Sequence, residues 1–244
     1  MGDPPLRPLR LSFGRVAETY HRVRPPHSAA LLDRAQRALE LPSNARVLDL
    51  AAGTGRLTHE LRQRFASVVA VEPDDDMRAL IVEGEVLAGS AEAIPLADAS
   101  VDAAFVSEAF HWFDAEDAIR ELARVLRPRG GLALIGTYWW ETEPPLPEAA
   151  NELLRFPYER FRDQRNPPWD DAFVDSPFEP LRVERFGDEM TVDADLLLEL
   201  YSTTSSLAAL SGDERGTLFA DVRPQLRGPY RLPIRHQLTW TRLA

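Results

Sequence analysis

Between residues 46 and 140, short apolar runs alternate with segments whose apolar residues recur at helical spacing. The runs "ARVLDLAA", "SVVAVEP", "EVLAGS", "VDAAFVSE" and "GGLALIGTYW" predict five short, buried strands. The segments between them predict helices, among them one that starts in "DDDMRALIV" and an amphipathic one over residues 114–127 whose face carries Ile119, Leu122 and Leu126. Because strand and helix alternate, we expect an α/β fold with parallel strands, right-handed crossovers and helices on both faces of the sheet.

The segments around this alternating core have different patterns. Residues 1–27 are rich in proline and arginine and predict an irregular arm, whereas the proline-rich residues 141–180 predict a lid-like insertion. Residues 181–244 contain two helical patterns, one in "DADLLLELYSTTSSL" and one near residues 213–226, and a closing strand, "IRHQLTWTRL". We therefore expect a single domain over residues 1–244, with its core in residues 28–140.

Composition and charge narrow the classes of function. The chain has 244 residues, with 39 acidic against 28 basic side chains and a net charge of −11, which disfavours nucleic acid as a partner. It has no cysteine, which excludes disulfides, thiolate metal sites and cysteine nucleophiles. The start lacks the apolar stretch of a signal peptide, and no apolar run approaches the ~20 residues that span a bilayer. We expect a cytoplasmic protein, a monomer or homodimer, without a membrane partner.

The stretch "VLDLAAGTGRLT", residues 47–58, places a glycine-rich turn between a strand and a helix, where backbone can approach a ligand. No lysine follows Gly55, so the turn is not the phosphate loop of triphosphate-binding proteins. The dinucleotide signature requires a third glycine at the position that Thr58 occupies, so that match is partial. Glu72 ends the next strand, where a carboxylate can bind both ribose hydroxyls of an adenosine. These residues alone are compatible with NAD and with other adenosyl ligands.

Four motifs in register extend this interpretation. The segments "VLDLAAGTGRLT", "VVAVEPDDDM", "AGSAEAIPLADASVDAAFVSEAFHWFD" and "LRPRGGLALIGTY" follow the order and spacing of class I methyltransferases that use S-adenosylmethionine. From residue 12 to about 140, including "FGRVAETYHRVRPPH", the chain resembles the small-molecule methyltransferases of the ubiquinone-biosynthesis and trans-aconitate group (methyltransferase type 11). The resemblance implies a Rossmann-like, doubly wound sheet of seven strands, mostly parallel with an antiparallel last strand. It also implies S-adenosylmethionine as cofactor, S-adenosylhomocysteine as product and a small-molecule acceptor.

The resemblance further implies a role for individual residues. Asp49 would hold the ammonium group of the cofactor, Glu72 the ribose hydroxyls, and the backbone N–H of Ala91 the adenine. Many relatives have aspartate where this chain has Ser90, and Glu92 is the alternative partner of the adenine amino group. The other implied cofactor contacts are Tyr20, Arg24, Ala51, Gly53, Gly55, Pro73, Met77 and Ser107.

Methyl transfer is an in-line displacement, so alignment of the reactants and exclusion of water supply most of the catalysis. His111, in "AFHWFD", is the candidate catalytic base, because an imidazole pKa near ~6.5 suits proton removal at neutral pH. The alternative is that His111 and Trp112 form a wall beside the cofactor. Asp74–Asp76 is interpreted as the exposed first turn of a helix, and we expect no metal.

We expect methylation of an oxygen, in a carboxylate or hydroxyl, rather than of carbon or nitrogen. Two alternatives stay open. A nicotinamide-dependent oxidoreductase is disfavoured by Thr58 and by the "GSAE" and "HWFD" segments. A cofactor-binding module without catalytic activity is the other alternative, and Ser90 is the one feature that favours it.

Overall fold

The structure is a computed structural model that describes residues 12–82, 84–139, 146–160 and 169–244. The described residues form two compact units. The first unit takes its residues from 1–25, 138–165 and 187–234. The second takes its residues from 26–137, 166–186 and 235–244.

The strands and helices follow the predicted alternation. The strands are β1 Arg46–Leu50, β2 Ser67–Val71, β3 Glu85–Leu87, β4 Val101–Ser107, β5 Leu126–Tyr138, β6 Arg182–Val192 and β7 Tyr230–Arg242. The helices are α1 Ala17–Val23, α2 Ala29–Ala38, α3 Arg56–Arg62, α4 Asp75–Arg78, α5 Ala115–Val125, α6 Glu148–Arg160, α7 Ala194–Ser202, α8 Ser205–Ala208 and α9 Gly212–Val222. Single 3-10 turns cover Phe13–Val16, Phe110–Trp112, Asp170–Phe173 and Arg223–Gln225.

The strands of the described residues make a seven-stranded sheet in the order β3-β2-β1-β4-β5-β7-β6. The pairs β1–β2, β2–β3, β1–β4 and β4–β5 are parallel, and the last strands are antiparallel. The predicted fold class is therefore confirmed. From β1 the chain adds strands first on one side and then, from β4, on the other. The gap between the carboxyl ends of β1 and β4 is thus the topological switch point, where such sheets bind ligands.

The core of the second unit explains why the sheet is covered on both faces. Successive residues of a strand point to opposite faces, so β1 sends Leu48 and Leu50 into one hydrophobic cluster and Val47 into another. Apolar residues of α5 complete the first cluster, and residues of α2 and α3 complete the second. Helices on both faces were predicted from the alternation, and the two clusters are their physical basis.

The first unit has a core of its own. Its hydrophobic cluster includes Trp139, Leu146, Ala150, Leu154, Leu197, Leu200, Leu207, Val222 and Leu232. The Trp139 ring, 1% exposed, meets the Tyr201 ring edge-on with 5.3 Å between the ring centroids. Trp139 is therefore a core residue of this unit.

Three element boundaries differ from the predictions. Helix α4, Asp75–Arg78, is one turn long, whereas the sequence predicts a longer helix that starts in "DDDMRALIV". The predicted helix of residues 114–127 ends earlier, since Leu126 already pairs with Val101 as the first residue of β5. The predicted helix "DADLLLELYSTTSSL" divides into α7 and α8, where the Thr203 hydroxyl donates to the Leu200 carbonyl at 2.6 Å. A hydroxyl that bonds its own backbone competes with helix continuation.

Candidate cofactor site

The loop between β1 and α3 depends on backbone conformations that favour glycine. Gly53 and Gly55 have φ of 58° and 79°, and Ala51 has φ of 57°. A β-carbon on Gly55 would lie 3.0 Å from Ile81 side-chain atoms, so there is little room for a side chain there. The Gly55 N–H donates to the Ala52 carbonyl at 2.9 Å and closes the turn. The loop is therefore a tight backbone turn at the carboxyl end of β1, as the sequence predicts.

Asp49 lies directly before this loop and is 1% exposed. Its Oδ2 accepts a hydrogen bond from the Thr58 hydroxyl at 2.5 Å. Burial raises the pKa of Asp49 to about 7, against the opposing effect of the hydrogen bonds from Thr58. The neighbouring Glu72 carboxylate adds to the rise. Asp49 is thus a buried carboxyl that a cationic ligand group would help to ionise.

Glu72 links the glycine loop to the turn after β2. One carboxylate oxygen accepts the Gly53 N–H at 2.8 Å, and the other accepts the Asp74 N–H at 2.9 Å. Burial is the main cause that raises the pKa of Glu72, and the two N–H donors oppose it. Each oxygen keeps a further lone pair that can accept a hydrogen bond, as binding to two ribose hydroxyls requires.

The helix after Glu72 has a separate cap. The Asp74 side chain accepts the N–H groups of Asp76 and Met77 and caps α4. The acidic run is therefore a helix start, as interpreted from the sequence. Among the residues that the structure describes, no group of three His, Asp or Glu side chains could hold a metal ion.

Thr54, at the tip of the loop, carries a hydroxyl that no sequence argument singled out. The residue is 1% exposed, and its Oγ1 has no hydrogen-bond partner within the described ranges. Buried polar atoms are nearly always paired, so an orphaned one indicates a missing ligand or water. This hydroxyl, the Glu72 lone pairs and the tight glycine turn together fit an adenosyl ligand with an amino-acid end.

The residues predicted to surround the adenine lie in the second unit beside this loop or in the β3–β4 connection. Met77 is buried, with its Cε 3.4 Å from the position of a β-carbon on Gly53, whereas Pro73 is exposed. Ser90 forms an isolated antiparallel bridge with Ala93, which leaves Ala91 buried between them. The Glu92 carboxylate accepts the Asp114 N–H at 3.1 Å and so supports the start of α5. Their roles toward a cofactor stay predictions.

His111 lies on the 3-10 turn after β4 and is exposed, with its ring centroid 4.7 Å from that of Trp112. The residues on either side of this pair point inward. Phe110 packs against Phe113, Trp169 and Phe173, with ring centroids 5.3, 5.0 and 5.5 Å apart. This aromatic cluster fixes the turn, and both the base and the wall interpretations of His111 stay predictions.

Ser107 ends β4, and its Oγ lies 2.8 Å from the Nε2 of His27, in the segment before α2. His27 is the last residue of the arm segment "FGRVAETYHRVRPPH", and nothing in that segment indicates a contact with Ser107. Its position beside Ser107 depends on the strand order. Burial, with Arg56 and His236 nearby, lowers the pKa of His27 to about 4, so the imidazole is uncharged at neutral pH.

Tyr20 and Arg24 belong to the first unit. The Arg24 guanidinium is buried and donates to the hydroxyl and carbonyl oxygens of Thr203 at 2.9 and 3.0 Å. It lies over the Tyr20 ring, 4.9 Å from its centroid, and 5.5 Å from the centroid of Trp139. These contacts order the arm within its unit, and the predicted cofactor roles of Tyr20 and Arg24 stay predictions.

In the described ranges, no helix has the length and apolar character needed to cross a membrane.

Comparisons with known proteins agree with the motifs. Residues 48–134 match the family model described as "Methyltransferase domain". An uncharacterized methyltransferase of Mycobacterium tuberculosis is 46% identical over 141 residues, which cover 56% of this chain and 54% of that protein. A malonyl-[acyl-carrier protein] O-methyltransferase of Methylococcus capsulatus is 38% identical over 146 residues, which cover 53% of this chain and 51% of that protein. The chain thus spans about half the length of these two relatives.

The overall fold has a solved counterpart. The YcgJ protein of Bacillus subtilis superposes with a TM-score of 0.58 at 19% identity, covering 88% of this chain and 98% of that one. At this identity the likeness concerns the fold alone. It agrees with the strand order and with a Rossmann-like sheet.

Proposed function

We propose that the protein methylates an oxygen of a small molecule with S-adenosylmethionine, starting from the match of residues 48–134 to the methyltransferase domain family and from the class I fold. The observation that carries the proposal is the buried Glu72 carboxylate, hydrogen-bonded at once to the glycine loop and to the turn after β2. This arrangement holds two acceptor oxygens at the carboxyl edge of the sheet, where an adenosine ribose binds in such folds.

The chain offers partners for several polar parts of this cofactor. Glu72 takes the ribose hydroxyls, Asp49 takes the ammonium group, and the Thr54 hydroxyl gains a partner that it lacks in the described residues. The cofactor supplies an electrophilic methyl group: the acceptor lone pair forms the new bond to carbon, and the electron pair of the broken S–C bond stays on sulfur. The residues of the site bind and orient the reactants and exclude water.

Oxygen is proposed as the methylated atom on two grounds. The M. capsulatus relative is named as an O-methyltransferase, and it shares 38% of residues over the matched region. An acceptor carboxylate also needs no base, since it is already ionised at neutral pH. For a hydroxyl acceptor, the exposed His111 is the proposed base. The single domain over residues 1–244 with a lid-like 141–180 segment also remains a proposal.

The first test is thermal unfolding with S-adenosylhomocysteine and, in parallel, with NAD and NADP. A ligand at 100 times its dissociation constant stabilises by ~2.7 kcal/mol, which should raise the midpoint of a chain of this size by roughly 5–10 °C. We expect a shift with S-adenosylhomocysteine alone. A shift with a nicotinamide dinucleotide would instead favour the oxidoreductase.

The second test separates an enzyme from a binding module. Methyl transfer from labelled S-adenosylmethionine is measured across a panel of small carboxylic acids, alcohols, phenols and amines. Turnover of a carboxylic acid or a hydroxyl compound supports the proposal, and turnover of amines alone would refute the choice of oxygen. Saturable binding without turnover across the panel would favour the module.

Glu72→Gln tests the ribose assignment. The amide keeps one oxygen for a backbone N–H but loses the second acceptor and the charge, so we expect S-adenosylhomocysteine affinity to fall about tenfold to 100-fold. The matched control is Glu121→Gln, because Glu121 also accepts a backbone N–H, from Ile94 at 2.8 Å. Calorimetric titration of both variants should show a loss of affinity for the first and not for the second. Equal affinities would remove Glu72 from the site.

A further inference from the structure

One polar pair at the carboxyl edge of the sheet joins the predicted cofactor contact Ser107 to His27, a residue without an assigned role. The Nε2 of His27 lies 2.8 Å from the hydroxyl of Ser107, which ends β4. Strand β4 pairs with β1, which contains Asp49 and leads into the glycine loop. The pair therefore lies at the topological switch point, on the side of the sheet edge where a ligand of the loop binds.

The groups near this pair define its electrostatics. Arg56 begins α3, directly after the glycine loop, and His236 lies on β7; both lower the pKa of His27, with burial as the larger cause. His27 is thus uncharged at neutral pH. The His27 Nδ1 is buried without a hydrogen-bond partner among the described residues, so the contact with Ser107 orients the ring. A neutral imidazole and a hydroxyl supply lone pairs without adding positive charge.

These properties suit one part of the proposed reaction. The donor carries a sulfonium, and a charged imidazolium at His27 would oppose its binding, whereas the lone pairs of a hydroxyl and a neutral imidazole favour it. On the basis of the proposed function, we propose that the Ser107 hydroxyl faces the reacting end of the methyl donor and that His27 is a positioning residue that holds this hydroxyl in place. Ser107 then contacts the reactants, and His27 acts through Ser107.

Two cofactor analogues isolate the position concerned, without knowledge of the acceptor. S-adenosylhomocysteine has a neutral thioether and no methyl group, whereas sinefungin carries a protonated amine in place of the sulfonium methyl. The rest of the two molecules is closely similar. The ratio of their dissociation constants therefore reports what the protein presents at the reacting position, and it is insensitive to changes in ribose or adenine binding.

Both dissociation constants are measured by calorimetry for the wild type, Ser107→Ala, His27→Leu, His27→Gln and the double variant. We expect Ser107→Ala to weaken sinefungin at least about tenfold, as for a hydrogen bond to a charged group, and to change S-adenosylhomocysteine less than twofold. His27→Leu should act in the same direction, and His27→Gln should retain most of the affinity because its amide can still bond Ser107. The double variant should lose no more than Ser107→Ala, since the two residues act as one unit.

The chain provides matched controls. Ser100 precedes β4 at its opposite end and has a buried Oγ without a partner in the described residues, so Ser100→Ala removes a similar hydroxyl away from the site. His59→Gln makes the histidine change on the exposed side of α3. Neither should alter the ratio, and circular dichroism checks the fold of each variant.

The outcomes separate this inference from the function on which it rests. If the wild type binds neither analogue, the proposed function fails and the inference falls with it. If both analogues bind and Ser107→Ala leaves the ratio of their dissociation constants unchanged, only the inference is overturned. Additive losses in the double variant would refute the positioning role of His27 while keeping Ser107 in the site.

Discussion

Replacing Asp49 by asparagine removes a charge from the most buried carboxyl of the candidate site. Asparagine has the same shape and keeps an oxygen that can accept from the Thr58 hydroxyl, so the substitution changes ionisation more than packing. Because burial raises the pKa of Asp49 from 3.8 to about 7, ionisation of this group opposes folding. We therefore expect the variant without ligand to be more stable than the wild type at alkaline pH.

The size of the effect follows from the two pKa values. Well below pH 4 the carboxyl is neutral in both the folded and the unfolded chain, so it does not change the free energy of unfolding. As the pH rises through 7, the free-energy cost of ionising the carboxyl in the folded chain reaches its full value. The difference between the folded and unfolded pKa, at ~1.4 kcal/mol per pH unit, makes this cost about 4 kcal/mol. Between pH 5 and pH 8 the wild type should lose roughly 2–3 kcal/mol relative to the variant.

The assay is thermal unfolding of both proteins at pH 5 and pH 8 in the absence of ligand. The difference in midpoint between variant and wild type should grow by roughly 5–10 °C between the two pH values. Asp102→Asn is the control, since the Arg127 hydrogen bond and the Arg46 N–H hold the pKa of Asp102 below its usual value in spite of its desolvation. The stabilisation that ionised Asp102 provides is present above pH 4 and is lost only as the pH falls through that lower pKa. The difference in midpoint between Asp102→Asn and the wild type should therefore stay constant from pH 5 to pH 8.

If the difference in midpoint between Asp49→Asn and the wild type does not change between pH 5 and pH 8, the reasoning is refuted. Asp49 would then have the same ionisation state at both pH values. The same variant should bind S-adenosylhomocysteine at least about tenfold more weakly at pH 8, since the ammonium group loses its charged partner. Stability and affinity should thus change in opposite directions. That combination distinguishes a carboxylate kept for binding from one that only supports the fold.

Three further outcomes follow from the site. Gly55→Ala should destabilise the fold by about 1–2 kcal/mol in chemical denaturation because of its positive φ; adding Ile81→Ala should recover only the part due to the contact, and full recovery would contradict the backbone argument. His111→Ala should lower kcat and leave the affinity for S-adenosylhomocysteine unchanged if His111 is a base, whereas a loss of affinity alone would support the wall. S-adenosylhomocysteine affinity should fall up to about tenfold from pH 7 to pH 6 as Asp49 takes up a proton, which titration in two buffers would detect as proton release on binding; a flat profile would contradict it.

Much of the fold was predictable because buried strands and amphipathic helices leave clear periodic patterns. The "VLDLAAGTGRLT" segment predicted both β1 and the glycine turn, and Glu72 was placed at the end of β2. In the sequence, Thr58 is only a departure from the dinucleotide signature, whereas in the structure its hydroxyl donates a hydrogen bond to Asp49. The two residues are nine positions apart, on either side of the glycine loop, and the contact forms only when α3 folds back beside β1.

Features that depend on strand order were beyond the sequence. His27 and Ser107 are 80 positions apart, and nothing in "RPPHS" indicates that this segment lies against the end of β4. The early end of α5 was also missed, because Leu126 fits the apolar face of a helix as well as the first position of a strand. Pairing with Val101 decides between them, and pairing is a tertiary contact.

The aromatic cluster under the 3-10 turn has a consequence for engineering. Phe110 and Phe113 come from the turn, whereas Trp169 and Phe173 come from about sixty residues further along the chain. The turn that carries His111 therefore cannot be transferred alone to another protein with its conformation preserved. Grafted into a related scaffold without residues 169–173, it would lose the rings that support Phe110, and a chimera would need both segments from the same parent.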